Sequence, residues 1–256
     1  MTEENAPEVS VVLPAHNEVG LLGSTVTNLI TGLEARGLSH ELLVVENGSQ
    51  DGTLRLSRLV AAQFSTVRVL SLSRGDYGEA LAAGFAEARG HLVASFDVDY
   101  YDLAFFDRAR ALLNDGADLV LASKRAPGAN DRRPLVRRVL TAGFNSLLRL
   151  VLDLKVSDAH GMKVFTRETL APLAARCTMR ASMFDVELVL RAERAGLRVL
   201  EVPAQVFERR PPRSSVGRRA LESLGGVLLL RARVTLEQSE QTARLRARLR
   251  RLGTRE

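Results

Sequence analysis

The stretch Ser95-Phe96-Asp97-Val98-Asp99-Tyr100-Tyr101-Asp102 decides how the rest of the chain is interpreted. The apolar run that leads into it, from His91 to Phe96, has the length and residue types of a buried strand and ends on two carboxylates. Ligands of open α/β sheets bind outside the carboxyl ends of the strands. Two carboxylates that converge there suit a hard divalent cation. An Asp-x-Asp pair by itself also fits a solvated turn, so the interpretation depends on the remaining sequence.

Three further apolar runs precede this one, at residues 9–13, 41–45 and 67–70, and each is followed by a polar loop and a helical pattern. Strands that alternate with helices through short connections predict a parallel sheet wrapped by helices. The loops at Pro14–Glu18, Glu46–Asp51, Asp76 with Gly78, and Asp97–Asp99 should therefore line one crevice, although each alone also fits a solubilising turn. No glycine-rich phosphate loop opens the first helix, which argues against a dinucleotide-dependent dehydrogenase or a P-loop enzyme.

Composition limits the possible partners and compartment. The 256 residues, 46% hydrophobic and 26% charged, allow one α/β domain with an extension. The net charge of +6 comes largely from basic residues after Lys124, which suit phosphate groups, an anionic membrane surface or nucleic acid. Cys177 is the only cysteine, so an intrachain disulfide and a cysteine-based metal site are excluded, as expected for a reducing cytoplasm. The polar start is unlike a signal peptide and no apolar run has the ~20 residues of a membrane span, so we expect peripheral membrane contact only.

Several motifs occur together and in a characteristic order. They lie at residues 11–18 (Val-Val-Leu-Pro-Ala-His-Asn-Glu), 45–53 (Val-Glu-Asn-Gly-Ser-Gln-Asp-Gly-Thr), 97–99, 158–165 (Asp-Ala-His-Gly-Met-Lys-Val-Phe), 184–188 (Phe-Asp-Val-Glu-Leu) and 201–203. Over residues 9–215 the chain thereby resembles the family 2 glycosyltransferases. The later motifs resemble the dolichyl/polyprenyl-phosphate mannose synthase branch.

The resemblance implies a GT-A fold, which is a mostly parallel sheet wrapped by helices, here followed by a C-terminal helical extension. We expect a flexible N-terminus at residues 1–8, a glycosyltransferase domain at 9–216 and an amphipathic, basic helical tail at 217–256. The implied enzyme is metal-dependent and inverting. It would take a hexose, mannose or glucose, from a GDP- or UDP-sugar, with Mg²⁺ or Mn²⁺ held by Asp97 and Asp99.

The resemblance also assigns site residues, residue by residue. The predicted donor-binding residues are Pro14, Ala15, Asn17, Glu18, Glu46, Asn47, Asp76, Gly78, Asp97, Val98, Asp99 and Arg209. The predicted acceptor and phosphate site consists of Arg125, Arg137 and Thr141, and the predicted catalytic residues are Asp99 and Asp158. Asp158 could assist the reaction or organise the acceptor site, and it equally fits a simple loop cap.

The acceptor that the resemblance implies is polyprenyl phosphate. A phosphate monoester is largely dianionic at neutral pH and needs no general base. An acceptor hydroxyl would need one, for which Asp158 and Asp185 are the candidates. A non-catalytic nucleotide-sugar-binding protein is a further alternative. Nucleic acid is not expected as a partner, because aromatic residues make up only 5% and none interleaves with the C-terminal arginines.

The predicted helix Pro134–Leu152 combines apolar residues with Arg137, Arg138 and Arg149. It is either an interfacial helix on an anionic bilayer or a core-facing helix with a basic outer side. We expect a cytoplasmic protein that binds peripherally to the inner face of the cell membrane, with a separate membrane protein as a possible partner. Residues 209–215 follow the family's donor-closing loop only loosely. Tyr101, Asn47 and His16 replace residues common in the family, which leaves the sugar open.

Overall fold

The computed structural model describes residues 6–131, 134–206 and 224–237, without the side chains of Arg137 and Val206. The strands are β1 Val9–Ala15, β2 His40–Asn47, β3 Val67–Leu72, β4 Leu92–Ser95, β5 Leu119–Ser123, β6 Asn130–Asp131, β7 Lys163–Thr166, β8 Val199–Pro203 and β9 Gln205–Val206. The helices are α1 Leu22–Glu34, α2 Thr53–Gln63, α3 Tyr77–Glu87, α4 Leu103–Asn114, α5 Leu135–Leu152, α6 Arg167–Ala174, α7 Met183–Arg194 and α8, residues 224–237.

Seven strands form one sheet in the order β3-β2-β1-β4-β7-β5-β8, and β6 pairs with β9 separately. All neighbours in the large sheet are parallel except β7, which runs antiparallel between β4 and β5. Every residue of β1, β4 and β5 is buried, because helices cover both faces of the sheet. The predicted mostly parallel α/β fold is confirmed.

Alternate residues of each strand face two separate layers of the core. In β1, Val9, Val11 and Leu13 face the layer under α1 and α4, whereas Val12 faces the opposite layer. That second layer packs against α3, α5, α6, α7 and α8. The helix expected in the C-terminal extension is therefore present as α8, and its buried side packs on the domain.

The boundaries of β1 differ from the prediction, which ended the strand before Pro14. The strand continues through Pro14 to Ala15 and pairs with β2 there. Pairing with β4 ends three residues earlier, at Val12 and Ser95. Pro14 has no N–H group to donate, and at its position it therefore interrupts no hydrogen bond between β1 and β4.

Helix α5 is buried only in its C-terminal half. Leu148 and Leu152 lie in the core, whereas four large apolar residues of the first two turns are 46–70% exposed: Leu135, Val136, Val139 and Leu140. The core-facing alternative thus describes only the second half of this helix. Among the described residues, no helix has both the length and the apolar character of a membrane span. The domain limits stay predictions, since residues 1–5, 207–223 and 238–256 lie outside the described part of the chain.

Candidate active site

The loops after β1, β2 and β4 meet at the carboxyl edge of the sheet, together with the segment that precedes α3. They enclose a cavity of about 280 Å³. Its lining residues are Pro14, His16, Glu18, Asn47, Gly75, Tyr77, Asp97, Val98 and Asp99. The strand-end loops that the sequence placed at one crevice thus contact one cavity.

Asp97 and Asp99 lie on a tight turn. The backbone N–H groups of Asp97 and Tyr100 donate to each other's carbonyl oxygens, both at 3.1 Å. The Thr25 hydroxyl of α1 donates to the Val98 carbonyl at 2.7 Å and holds the turn against the domain. The phenol of Tyr77 donates to Asp97 Oδ1 at 3.1 Å. The turn is therefore fixed from two sides before any ligand binds.

The two carboxylates interact unfavourably. Burial, followed by the charge of Asp99, raises the pKa of Asp97 to about 6, although Lys163 and the hydrogen bond from Tyr77 oppose the rise. Burial of the Tyr77 phenol, followed by the charge of Asp97, raises the pKa of Tyr77 well above its ordinary value. A cation between the carboxylates would relieve the repulsion, and oxygen donors suit Mg²⁺ or Mn²⁺. Within the described residues no cluster of three or more His, Cys, Asp or Glu side chains could hold a metal. The two carboxylates suit a hard divalent cation by their chemistry, and its binding here stays a prediction.

The loops after β1 and β2 are bonded to each other. Asn17 has a left-handed backbone (φ 56°), and its side-chain oxygen accepts from the Gln50 N–H at 2.8 Å. Ser49 Oγ in turn accepts from the Asn17 N–H at 3.0 Å. The N–H of Glu18 donates to Thr53 Oγ1 at 2.8 Å. Contacts with the loop after β2 and with Thr53 of α2 thereby fix this loop, in which Glu18 lines the cavity.

Other predicted donor-binding residues make structural contacts. Glu46 is 2% exposed and accepts from the Ser49 N–H at 2.6 Å and from the Ser71 hydroxyl at 3.0 Å. Asn47 Oδ1 accepts from the Asp76 N–H at 2.8 Å. The carboxylate of Asp76 caps α3 by accepting from Glu79 and also accepts from the Ala181 N–H at 3.0 Å.

Gly78 and Ala15 are both buried. A Cβ atom at Gly78 would lie 2.8 Å from the Ala181 carbonyl oxygen, so glycine permits the close approach of α3 to the start of α7. For Gly78 and Asp76, a direct contact with the donor stays a prediction.

Of the predicted phosphate-binding residues, Arg125 and Thr141 are not among those that line this cavity. Arg125 is exposed after β5 and Thr141 is half-buried on α5, and neither lines a cavity that contains Asp97. The side chain of Arg137 and the whole of Arg209 lie outside the described part of the chain. Their contacts stay predictions.

The two candidate bases are both engaged with cations. Asp158 is 1% exposed, accepts from the His160 N–H at 3.1 Å, and lies 3.7 Å from Lys124 Nζ. Asp185 is 2% exposed, and its Oδ1 accepts from the buried Lys163 ammonium at 2.9 Å. Each carboxylate is thus already paired with a lysine of the protein. The contacts of Asp158 are those of a residue that organises its loop.

A second and larger cavity, of about 920 Å³, adjoins the first at Tyr77 and Asp97. The segment from Thr178 to Met183 forms one wall, and Gly226, Leu229 and Arg233 of α8 form another. Sequence reasoning did not identify these residues, because no motif marks the segment before α7 and only the tertiary fold brings α8 to it. The site thus combines a polar crevice and a larger cavity, joined at Asp97.

The comparisons with known proteins bear on the family of this chain. Residues 10–171 match the model of glycosyl transferase family 2. Glycosyltransferase AglD of Haloferax volcanii is 33% identical over 202 residues, which are 77% of this chain and 32% of that protein, so the match spans about a third of that relative. An uncharacterised glycosyltransferase of Mycobacterium tuberculosis is 34% identical over 81% of this chain and 89% of its own length. Dolichyl-phosphate beta-glucosyltransferase of Drosophila melanogaster is 31% identical over 80% and 69% of the two chains.

Solved structures share the fold. Glucosyl-3-phosphoglycerate synthase of Mycobacterium tuberculosis in complex with UDP covers 90% of this chain and 82% of its own, at 23% identity and a TM-score of 0.67. The same synthase with Mn²⁺, UDP-glucose and phosphoglyceric acid matches with a TM-score of 0.66, also at 23% identity, over 90% and 81% of the two chains. Because the family model covers more than half of the sequence and full-length relatives exceed 30% identity, the chain belongs to glycosyl transferase family 2 and is a glycosyltransferase.

Proposed function

We propose that this glycosyltransferase moves a hexose from a nucleotide sugar to the phosphate of a polyprenyl phosphate. The observation that carries the proposal is the position of the Asp97–Asp99 turn, which borders both the polar crevice and the larger cavity. Such a turn can meet a nucleotide diphosphate on one side and an acceptor on the other. The Drosophila relative is a dolichyl-phosphate beta-glucosyltransferase, which supports this acceptor class.

Asp97 and Asp99 are the residues that would hold a divalent metal. When bound, Mg²⁺ or Mn²⁺ supplies positive charge to the diphosphate that leaves the sugar. The hydrogen bond from Tyr77 keeps one oxygen of Asp97 oriented. The Thr25 contact with Val98 keeps the turn at the edge of the crevice.

The proposed reaction needs alignment more than proton transfer. A phosphate oxygen of the acceptor forms a bond to the anomeric carbon while the bond from that carbon to the nucleotide diphosphate breaks, and the diphosphate leaves with the electron pair. The acceptor phosphate is largely dianionic at neutral pH, with its second pKa near ~6, so no base has to remove a proton. Attack opposite the leaving group inverts the anomeric centre. A reaction that needs no general base agrees with the ion pairs that Asp158 and Asp185 form with lysines.

Transfer to a hydroxyl is the second candidate within the enzyme class. It requires a free carboxylate base at the reacting centre, and the ion pairs of Asp158 and Asp185 speak against both candidates. The phosphate acceptor is therefore the better match to the described residues.

The exposed apolar turns of α5 support a position on a membrane surface. Leu135, Val136, Val139 and Leu140 are exposed beside Arg138. An apolar face with neighbouring basic residues is typical of a helix that inserts shallowly into an anionic bilayer. We propose that this end of α5 contacts the membrane that carries the polyprenyl phosphate.

The test is transfer of radiolabelled sugar into an organic-extractable lipid, with GDP-mannose and UDP-glucose assayed in parallel. We expect label in undecaprenyl phosphate from one donor, lost with EDTA and lost in Asp99→Asn. Label that reaches only a soluble acceptor would contradict the lipid acceptor. Nucleotide-sugar binding without transfer to any acceptor would instead indicate a non-catalytic protein. Asp102→Asn is the matched control, since Asp102 caps α4 outside the cavity and should retain activity.

A further inference from the structure

No sequence motif predicted the larger cavity, one wall of which is formed by α8. It is bordered by Tyr77 and Asp97 on the side of the crevice and by α8 on the opposite side. Its volume of about 920 Å³ is more than three times the 280 Å³ of the crevice. A second substrate that meets the donor at Asp97 has room in this cavity.

Arg180 and Arg233 line the cavity, and neither guanidinium has a carboxylate partner among the described residues. The Arg233 guanidinium donates to the Thr178 hydroxyl at 2.6 Å, which holds it at the wall. Arg191, near the same helix but outside the cavity, is instead paired with both Glu187 and Glu237. The cationic charge at the cavity is therefore available to an anion, whereas that of Arg191 is neutralised by the protein.

The charge at the other end of the cavity explains why such cations are needed. A phosphate dianion that approaches Asp97 meets the carboxylates of Asp97 and Asp99 and the donor diphosphate. Guanidinium groups bind phosphate oxygens through paired hydrogen bonds and offset that repulsion. Arginines on the wall beside Asp97 thus fit an anionic acceptor better than a neutral one.

The remaining wall is apolar. Met179 and Met183 are buried beneath the cavity, and Leu229 of α8 is 46% exposed beside it. A Cβ atom at Gly226 would lie 2.7 Å from Met183 Cγ, so glycine lets α8 pack closely against this methionine. Flexible methionine side chains adapt to irregular apolar ligands. A chain attached to the phosphate can therefore bury apolar surface here.

We propose that this cavity binds the acceptor, with Arg180 and Arg233 contacting its phosphate monoester and Met179, Met183 and Leu229 contacting the first units of its apolar chain. The inference rests on the proposed function and deepens it. It gives the phosphate a binding site different from the predicted one at Arg125, Arg137 and Thr141.

The test uses titration calorimetry to measure the binding of farnesyl phosphate to protein already saturated with UDP and Mn²⁺. We expect Arg233→Ala and Arg180→Ala each to weaken binding about tenfold or more, the usual size of losing one charge-assisted contact. Affinity for UDP should stay within about twofold of the wild type. Arg231→Ala is the matched control, because Arg231 lies on the same helix, donates to the Val151 carbonyl and does not line the cavity.

Leu229→Asn tests the apolar half. It should weaken farnesyl phosphate binding several-fold and leave methyl phosphate binding unchanged. Equal affinity of the wild type for farnesyl and methyl phosphate would overturn the assignment of an apolar chain. A soluble phosphate source would then be the better acceptor.

Two other outcomes separate this inference from the proposed function. Wild-type binding and lipid glycosylation that persist undiminished in the Arg180→Ala/Arg233→Ala double variant would overturn the inference alone. A wild type that binds UDP with Mn²⁺ but neither binds nor glycosylates any prenyl phosphate would overturn the proposed acceptor, and with it the inference.

Discussion

At the scale of single residues, the hydrogen bond from Tyr77 to Asp97 links two parts of the site. Tyr77 opens α3, whereas Asp97 follows β4, and the phenol reaches the carboxylate at 3.1 Å. A donor to the ionised form of a carboxylate stabilises that form and lowers its pKa. The bond therefore favours the charge state of Asp97 that could bind a cation.

Tyr77→Phe removes this donor without changing the ring. We expect the pKa of Asp97 to rise beyond about 6, and the affinity for Mn²⁺ in the presence of UDP to fall several-fold near pH 6 to 7. The deficit should narrow above pH 8, where Asp97 is ionised in both proteins. Mn²⁺ titrations from pH 5.5 to 8.5 measure the effect, and superimposable curves would contradict it. Tyr101→Phe is the control, since the Tyr101 hydroxyl accepts from Asn28 and does not contact Asp97.

The raised pKa of Asp97 also predicts a cost in stability without metal. The folded protein binds the proton up to about pH 6, whereas the unfolded chain releases it near 3.8. Between these values the folded state holds more protons, so its stability falls as pH rises through this window. Asp97→Asn should remove the loss and be more stable than the wild type by about 1–3 kcal/mol at pH 7.5. Urea unfolding in EDTA at pH 4 and pH 7.5 tests this prediction. A lower free energy of unfolding for the variant than for the wild type at pH 7.5 would refute it.

The sequence predicted the positions of Asp97, Asp99 and Glu18 at the crevice, because short motifs follow predictable strands. It did not identify Arg180 or Arg233, since their position depends on which helices pack together. Glu46 illustrates a different limit. Its motif was recognisable, but its carboxylate oxygens accept hydrogen bonds from Ser49 of the following loop and from Ser71 of β3, which only the folded structure reveals.

At the scale of elements, α8 is held by an ion pair as well as by its apolar side. Arg191 of α7 donates two hydrogen bonds to Glu237, at 2.8 and 2.9 Å, and two further bonds to Glu187. Arg191 is 8% exposed, so its charge needs these partners. The pair joins residues 46 positions apart and fixes the helix that forms the far wall of the larger cavity.

Glu237→Gln should loosen α8 without unfolding the domain, because Glu187 still neutralises Arg191. We expect a loss of about 1 kcal/mol and faster amide exchange in residues 224–237, with exchange in the sheet unchanged. The hydrogen bonds from Arg191 lower the pKa of Glu237, so the contribution of the pair is present above about pH 4.5 and disappears as pH falls further. The variant and the wild type should therefore converge in acid, once the pH lies below the lowered pKa of Glu237. Glu168→Gln, on the exposed first turn of α6, is the control, and equal exchange in both variants would rule out this function of the pair.

The strands and helices of the first half could be predicted because buried parallel strands appear as continuous apolar runs. The antiparallel β7 was less predictable. It has only four residues and contains the fully buried Lys163, a residue type that usually lies on the surface. Its burial is possible because Asp185, 22 residues away, accepts from its ammonium at 2.9 Å.

At the scale of the whole molecule, the exposed apolar end of α5 and the net positive charge are both features expected of a protein that binds an anionic membrane surface. Four large apolar side chains in two helical turns are exposed next to Arg138, on a protein with a net charge of +6. A contiguous exposed apolar patch is uncommon on a protein without a partner surface. Burial of this patch in a bilayer would attach the protein to the membrane surface through α5. No helix in the described part of the chain could span the membrane.

Leu135→Ser with Val139→Ser tests this placement without changing the net charge. Each side chain would contribute about 1.5 kcal/mol or more if buried in the bilayer, so the double variant should sediment with phosphatidylglycerol vesicles at least tenfold more weakly. UDP binding should be unchanged, because α5 does not line the polar crevice. Leu150→Ser is the matched control, since Leu150 is 83% exposed on the same helix but lies in its second half. Strong binding by the double variant, or an equal loss in the control, would place the membrane contact elsewhere and leave the exposed turns of α5 to a protein partner.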